Sequence, residues 1–125
     1  MVVLAQFFGA LFGMLAIVFG AFGAHALKNI CNENQLKSFE TGVKYQMYHA
    51  LLLLFLGFNL KLETVLEHTM VYFIIAGVVL FSLSIYGLVL SDVKGKKWRF
   101  LGPITPLGGL LLVLGWGMLL YTVIL

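Results

Sequence analysis

The sequence predicts an all-α fold, a polytopic integral membrane bundle of four transmembrane helices with a short amphipathic segment after the first. Three observations lead to this prediction. The 125 residues are 62% hydrophobic and only 10% charged, whereas a soluble domain carries roughly a quarter charged residues. The mean hydropathy is +1.05. The apolar residues fall in four long segments with short polar links between them, so residues 1–125 are expected to form a single transmembrane domain.

The first predicted span runs from Val2 to Ala24 and contains no charged residue. At about 1.5 Å per residue it is long enough to cross a hydrocarbon core of roughly 30 Å. Small residues recur on one stripe, where they let another helix approach closely. The predicted packing residues on this stripe are Gly9, Gly13, Ala16 and Gly20. The Ala-His-Ala tripeptide that follows resembles a signal-peptide cleavage site, but no basic residue precedes it, which favours a retained span.

A polar connection, residues 27–44, follows the first span. Asn32 with Gln35 three residues later has the form of a capping box, which predicts that a helix starts near Glu33. Two pairs of opposite charges at i, i+4 support that helix. We expect this amphipathic segment to lie on the membrane surface and to bend at Gly42.

The second predicted span, residues 45–60, opens with an aromatic and polar run. Tyr45, Gln46 and His49 share one helical face, and unpaired polar groups are costly inside a membrane. This face is therefore predicted to turn towards the interior of the bundle. Its three residues belong to a candidate polar cluster that also includes residues of the other segments. Its remaining members are His25, Ser82, Tyr86 and Thr105.

The third and fourth predicted spans cover residues 69–90 and 101–125. The third carries a second stripe of small residues. Its predicted packing residues are Gly77, Ser84 and Gly87. The fourth opens with two prolines within residues 102–106, and each proline removes a backbone donor, so an irregular helix start is expected there.

Loop charge predicts the orientation of the bundle. Loops 27–44 and 91–99 hold seven Lys and Arg residues, whereas the link between the second and third spans holds only Lys61. The positive-inside rule then places both basic loops in the cytoplasm and both termini outside the cell (inner) membrane. The third loop also suits anionic lipid headgroups, at about 1 kcal/mol per basic residue. Its candidate headgroup contacts are Lys94, Lys96, Lys97, Trp98 and Arg99.

Two histidines are candidates for chemistry within the spans. His25 and His49 could ligate haem or a metal, relay protons or hold a quinone. The alternative is that each is neutral and hydrogen-bonded to a neighbouring helix, which we favour because two histidines at unknown separation are not a motif. The sequence has no nucleophile elbow, P-loop or pair of acids. No enzyme activity, cofactor, metal or nucleic-acid partner is predicted.

Several ordered motifs resemble one family. They are GAFGAHAL at 20–27, YQMYHAL at 45–51, FSLSIY at 81–86, LGPITPLGG at 101–109 and the Gly-Trp pair at 115–116. Together they resemble the small bacterial membrane proteins of domain of unknown function 423, related to the animal transmembrane protein 256 type. Leu83 stands where a small residue is expected in that family. The resemblance covers essentially the whole chain and implies a four-helix membrane architecture without a mechanism.

Three classes of function follow from these residues. The first is a structural or accessory protein that packs in the bilayer as a homo-oligomer or within a larger membrane complex. The second is a small-solute or proton carrier or channel that uses Tyr45, Gln46 and His49. The third is a binder of a haem, metal or quinone near His25 and His49. We favour the first because small-residue stripes dominate the pattern and the apolar segments contain no charged residues.

Overall fold

Four long helices make up the chain. The computed structural model describes the backbone of all 125 residues and every side chain except that of Ala24. The helices are α1 (Val2–Leu27), α2 (Glu33–Asn59), α3 (Val65–Val93) and α4 (Ile104–Ile124), with a 3₁₀ turn at Arg99–Leu101 before the last. The predicted all-α class is confirmed.

Three helical segments, rather than the predicted four, are long and apolar enough to cross a membrane by themselves. They are Val2–Leu27, Val65–Val93 and Arg99–Ile124. The predicted amphipathic segment and second span instead form one helix, the 27-residue α2. Its first twelve residues include four charged ones, so its apolar part, residues 45–59, is only about 22 Å long. The predicted bend at Gly42 is wrong, because α2 continues unbroken through it.

Side-chain caps fix the starts of α2 and α3. The predicted capping box at α2 is confirmed: Gln35 N donates to Asn32 Oδ1 at 2.8 Å, and Asn32 N donates to Gln35 Oε1 at 2.9 Å. A second box, formed by Thr64 and Glu67, starts α3 at Val65. This start lies four residues before the predicted one. The prediction assigned the polar residues to the preceding link, whereas they form the first helical turn.

The link between α2 and α3 is held by Leu62. Its φ of 54° lies in the left-handed region, which is unfavourable for a branched residue. Two contacts keep it there. The side chain is buried in the hydrophobic core, and the carbonyl accepts a hydrogen bond from His68 Nε2 at 2.8 Å. The link is therefore a fixed turn rather than a loose connection.

The helices pack in two antiparallel pairs, α1 with α2 and α3 with α4, and the pairs meet where α2 crosses α3. Two apolar clusters fill the interior. The larger is built on Ala5, Phe12, Ala50, Leu52, Leu53, Leu56, Leu62, Met70, Val71, Ile74, Val78 and Leu112. The smaller contains Leu27, Phe39, Ile85, Tyr86 and Val89. Gln46 lies on α2 between the turns that contribute to each cluster.

Small residues allow close approach within both pairs. A Cβ on Gly9 would lie 2.9 Å from the Ala50 carbonyl oxygen, and one on Gly77 would lie 2.7 Å from Leu112 Cδ2. Gly108 is tighter still, because a Cβ there would overlap the backbone of Phe81. These distances leave no room for a side chain, so the helix backbones themselves form much of the interface.

At the other predicted packing glycines, the distance from an added Cβ to the nearest atom varies more widely. A Cβ on Gly87 would lie 2.7 Å from Leu101 Cδ1, and one on Gly20 would lie 3.2 Å from Val43 Cγ1. On Gly13 the nearest atom would be Ala50 Cβ at 3.8 Å, an ordinary contact. The predicted packing residues without such a measure are Ala16 and Ser84, and both are buried.

Gly9 and Gly13 therefore make a matched pair for testing the α1–α2 contact. Gly9→Ala should lower the free energy of unfolding by about 1–3 kcal/mol, because the new methyl overlaps the backbone of α2. Gly13→Ala should leave it unchanged or raise it by up to about 1 kcal/mol, since alanine favours the helix. Denaturant titration of both variants in mild detergent measures the difference. Equal effects of the two changes would show that α1 does not pack on α2 through Gly9.

Candidate functional site

The Gln46 side chain joins three helices in the centre of the bundle. Only 2% of Gln46 is exposed. Its Nε2 donates to the Phe12 carbonyl of α1 at 2.9 Å, and its Oε1 accepts from the Tyr86 hydroxyl of α3 at 2.7 Å. Both ends of the amide are thus paired with other helices, which is what an amide in an apolar interior requires.

A serine strengthens the same junction one turn away. Ser82 is fully buried, and its Oγ donates to the Gly42 carbonyl at 2.7 Å. Ser82 belongs to a π-helical segment of α3, Val79–Leu83, and α1 has a second one at Val18–Gly23. The aromatic ring of Phe19, in the α1 segment, lies edge-on to Tyr86 with 5.2 Å between ring centres. Both irregular segments therefore lie beside this junction.

The His49 imidazole joins α2 to α4. It is 5% exposed, and its Nε2 lies 3.0 Å from Trp116 Nε1. An indole nitrogen only donates, so His49 Nε2 accepts and the ring proton is on Nδ1. Nδ1 donates in turn to the Tyr45 carbonyl at 2.6 Å. His49 is therefore a neutral imidazole with both nitrogens bonded.

The side chains of three predicted members of the polar cluster, Tyr45, His25 and Thr105, do not join this buried layer. Tyr45 is 41% exposed and stacks on Phe81 with 4.8 Å between ring centres. Adjacent helical residues are about 100° apart, so with Gln46 and His49 centred on the inward face, Tyr45 falls at its edge. His25, near the end of α1, is exposed. The prediction that the whole Tyr45, Gln46 and His49 face turns inward is therefore wrong for Tyr45.

Ser84 and Thr105 form a separate link between α3 and α4. Ser84 Oγ donates to the Phe81 carbonyl at 2.9 Å. The hydroxyl oxygens of Ser84 and Thr105 are 2.6 Å apart, so Thr105 is the donor between them. This bond anchors the start of α4, where the prolines remove backbone donors.

Three functional partners were missed by sequence reasoning. Trp116 entered only as part of a motif, although an indole N–H within an apolar span requires an acceptor and could have indicated the partner of His49. The carbonyls of Phe12 and Gly42 leave no sequence signal. Over the described side chains, every buried nitrogen and oxygen has a hydrogen-bond partner. The same residues contain no group of three or more His, Cys, Asp and Glu that could hold a metal.

An open cleft lies outside this layer, where the start of α2, the end of α3 and the start of α4 meet. Its volume is about 630 Å³. Gln35 Nε2 donates to Asp92 Oδ2 across it at 2.9 Å. The lining residues are Asn32, Asn34, Gln35, Ser38, Ile85, Leu88, Val89, Asp92, Lys97, Gly102, Thr105 and Pro106. Of the five predicted headgroup contacts only Lys97 lines the cleft; the others are exposed on the same loop and the 3₁₀ turn after it.

Comparison with known proteins gives one consistent result. A family model described as a protein of unknown function (DUF423) matches residues 19–109. A UPF0382 membrane protein of Staphylococcus aureus is 41% identical over 112 residues, covering 90% of this chain and 88% of the relative. A second, from Staphylococcus saprophyticus, is 40% identical and covers 89% and 88%. No solved structure matches the chain significantly.

The Tyr86–Gln46 bond can be tested against a matched tyrosine on the same helix. Tyr86→Phe leaves the Gln46 carbonyl without a donor and should lower the free energy of unfolding. The expected loss lies between about 0.6 kcal/mol, the average intramembrane bond, and about 3 kcal/mol for a buried unpaired group. Tyr72 is 54% exposed, so Tyr72→Phe should change the free energy of unfolding by less than about 0.5 kcal/mol. Denaturant titration in detergent distinguishes the two variants. Equal losses of free energy would show that the Tyr86–Gln46 bond does not stabilise the fold.

Proposed function

Because this chain belongs to the DUF423 family of proteins of unknown function, we propose its role from its own geometry: it is a structural, non-enzymatic accessory protein of the cell (inner) membrane. The observation that carries the proposal is the buried layer built on Gln46 and His49. Each of these side chains is bonded at both of its polar ends to main chain or to another helix. Such a layer fixes helix positions.

A carrier or channel needs polar groups that can exchange partners with a passing solute. In this layer the Gln46 amide is held by α1 and α3, and the two His49 nitrogens are held by Tyr45 and Trp116. Apolar clusters lie on either side. Transport through the layer would break several buried bonds without a replacement, which favours a structural role.

Metal or haem ligation by His49 meets the same difficulty. A ligating imidazole supplies a lone pair, and the Nε2 lone pair already accepts the Trp116 N–H. Binding a cofactor there would leave a buried indole donor unpaired. His25 is exposed and so does not share the enclosed environment of His49.

The proposal includes α2 as the fourth membrane-crossing helix. Its 27 residues are about 40 Å long, enough to cross the core with the charged first turns extending into the headgroups. Packing along α1 supports this placement, since one face of the apolar half of α2 packs against a helix that can itself span. With seven basic residues against one, loops 27–44 and 91–99 are cytoplasmic and both termini are outside.

The outer faces of the bundle meet lipid or a partner. Large apolar residues are exposed along α4, including Leu110, Val113 and Leu120. The tightest glycine contacts join helices of this chain to one another, so a homo-oligomer or a larger membrane complex would form through the outer faces. Lipid of the bilayer is therefore the first partner of these faces, and a protein partner would cover part of them.

Cysteine labelling tests whether α2 crosses. In a Cys31→Ser background, single cysteines replace Asn34, Glu63 or Lys96 in turn, and a membrane-impermeant thiol reagent is applied to intact cells and to inverted vesicles. Glu63→Cys should label in intact cells, and the other two should label only in inverted vesicles. Labelling of the Asn34 and Glu63 positions from one side would show that α2 does not cross, and a full reversal of sides would contradict the orientation.

Proteoliposomes test the structural role against proton transport. A pH gradient across vesicles that contain the protein should decay at the rate of protein-free vesicles, because the polar layer offers no exchangeable path. His49→Leu and Gln46→Leu should leave that rate unchanged. A fast decay with the unaltered chain that disappears in His49→Leu, while circular dichroism shows a retained helical fold, would replace this proposal with proton transport.

A further inference from the structure

The open cleft changes from polar to apolar along α3. Asp92 lies at the end of the helix, Leu88 and Val89 one turn deeper, and Ile85 two turns deeper, and all four residues line the cleft. Asp92 lies seven positions after Ile85 on the helix, a rise of about 10 Å. The cleft thus offers charged groups at its outer end and hydrocarbon towards the centre of the bundle, which is the order of chemistry in a membrane lipid.

Two opposite charges lie at the polar end. Asp92 accepts from Gln35 through Oδ2, which leaves its second oxygen for another donor. Lys97 lines the same cleft, together with Asn34 and Ser38. A ligand that carries an anion and a cation a few ångströms apart would satisfy both charges.

The surroundings place this end of the cleft at a membrane boundary, an argument that rests on the proposed membrane placement. Trp98, next to Lys97, is exposed, and Trp is enriched where membrane meets water. The backbone N–H of Trp98 donates to Ser91 Oγ at 3.0 Å, which ties the basic loop to the end of α3 beside Asp92. A lipid in the adjacent leaflet would have its headgroup at this level.

We propose that the cleft binds a zwitterionic phospholipid with a primary ammonium headgroup, its phosphate at Lys97 and its ammonium at Asp92. A primary ammonium donates three hydrogen bonds, and the free Asp92 oxygen accepts one of them. A choline headgroup has no N–H to donate, and an anionic headgroup places no cation at Asp92. The upper part of the lipid tails lies along Leu88 and Ile85. The volume of about 630 Å³ suits a small-molecule ligand.

Lipid binding to the full-length chain tests this proposal. The delipidated protein in mild detergent is mixed with phosphatidylethanolamine, phosphatidylcholine or phosphatidylglycerol, and bound lipid is measured by native mass spectrometry. Phosphatidylethanolamine should bind about tenfold more tightly than phosphatidylcholine, the effect of one charge-assisted hydrogen bond. Water-soluble glycerophosphoethanolamine should bind at least tenfold more weakly, because it lacks the tails. Equal binding of the three lipids, or equal binding of the soluble headgroup, would overturn the proposal.

Two variants test the separate roles proposed for Asp92 and Lys97. Asp92→Asn should remove the preference for phosphatidylethanolamine over phosphatidylcholine, and Lys97→Gln should weaken all three lipids by a similar factor. Lys96→Gln is the control, because Lys96 is on the same loop but does not line the cleft. If Lys96→Gln weakens binding as much as Lys97→Gln, the loop attracts lipid only by its charge and the cleft site is overturned.

A further pair of variants distinguishes a blocked cleft from a loss of folding. Ser38→Trp fills the cleft from α2 without removing either charge and should reduce phosphatidylethanolamine binding, whereas Lys37→Trp, one residue away and outside the lining, should not. Unfolding temperatures without lipid confirm that both variants fold, and unaltered binding by Ser38→Trp would place the lipid elsewhere. The cysteine labelling described above can fail while this binding succeeds, so the two proposals are tested separately.

Discussion

One amide determines much of how this bundle is assembled. Gln46 is enclosed between two apolar clusters, where an unpaired amide would cost several kcal/mol on transfer from water (about 4–8 to a fully apolar medium). Its two polar ends are satisfied because the Phe12 carbonyl of α1 and the Tyr86 hydroxyl of α3 both lie at bonding distance. The position of three helices is therefore fixed at one point, and the nearby apolar side chains pack around it. In a bilayer, where helices gain little from burying apolar surface against each other, such a bond contributes specificity as much as stability.

Close approach of the backbones makes these bonds geometrically accessible. A Cβ on Gly42 would lie 2.8 Å from Cε1 of the Tyr86 ring, so any larger residue would push that ring away and carry its hydroxyl from Gln46. The same glycine presents its carbonyl to Ser82. The π-helical turn that contains Ser82 shifts the register of α3 at this level and directs the side chain to α2. Glycine at 42 was expected to bend the helix. Its lack of a side chain instead leaves room for the Tyr86 ring.

The sequence predicted what depends on local pattern and missed what depends on partners. The apolar segments and the Asn32 capping box could be read directly, since hydropathy and cap chemistry are local. The inward positions of Gln46 and His49 followed from the cost of burying polar groups. The inward prediction was wrong for Tyr45, because an amphipathic ring satisfies either an edge or an interior position. Trp116 as the donor to His49, the two π-helical turns and the cleft all arise from distant residues that meet only after folding.

The two halves of α2 carry out different tasks, and the start of the helix connects them. The second half holds the closed interior, where the described polar atoms are already paired. The first half contributes Phe39 to the smaller apolar cluster and forms one wall of the open cleft. There Gln35 accepts the Asn32 N–H with its Oε1, which directs its Nε2 to Asp92. The capping box that starts the helix thus also orients the carboxylate of the cleft. Because the described buried side chains offer no free polar group and the cleft does, the cleft is better suited than the interior to the recognition of a small ligand.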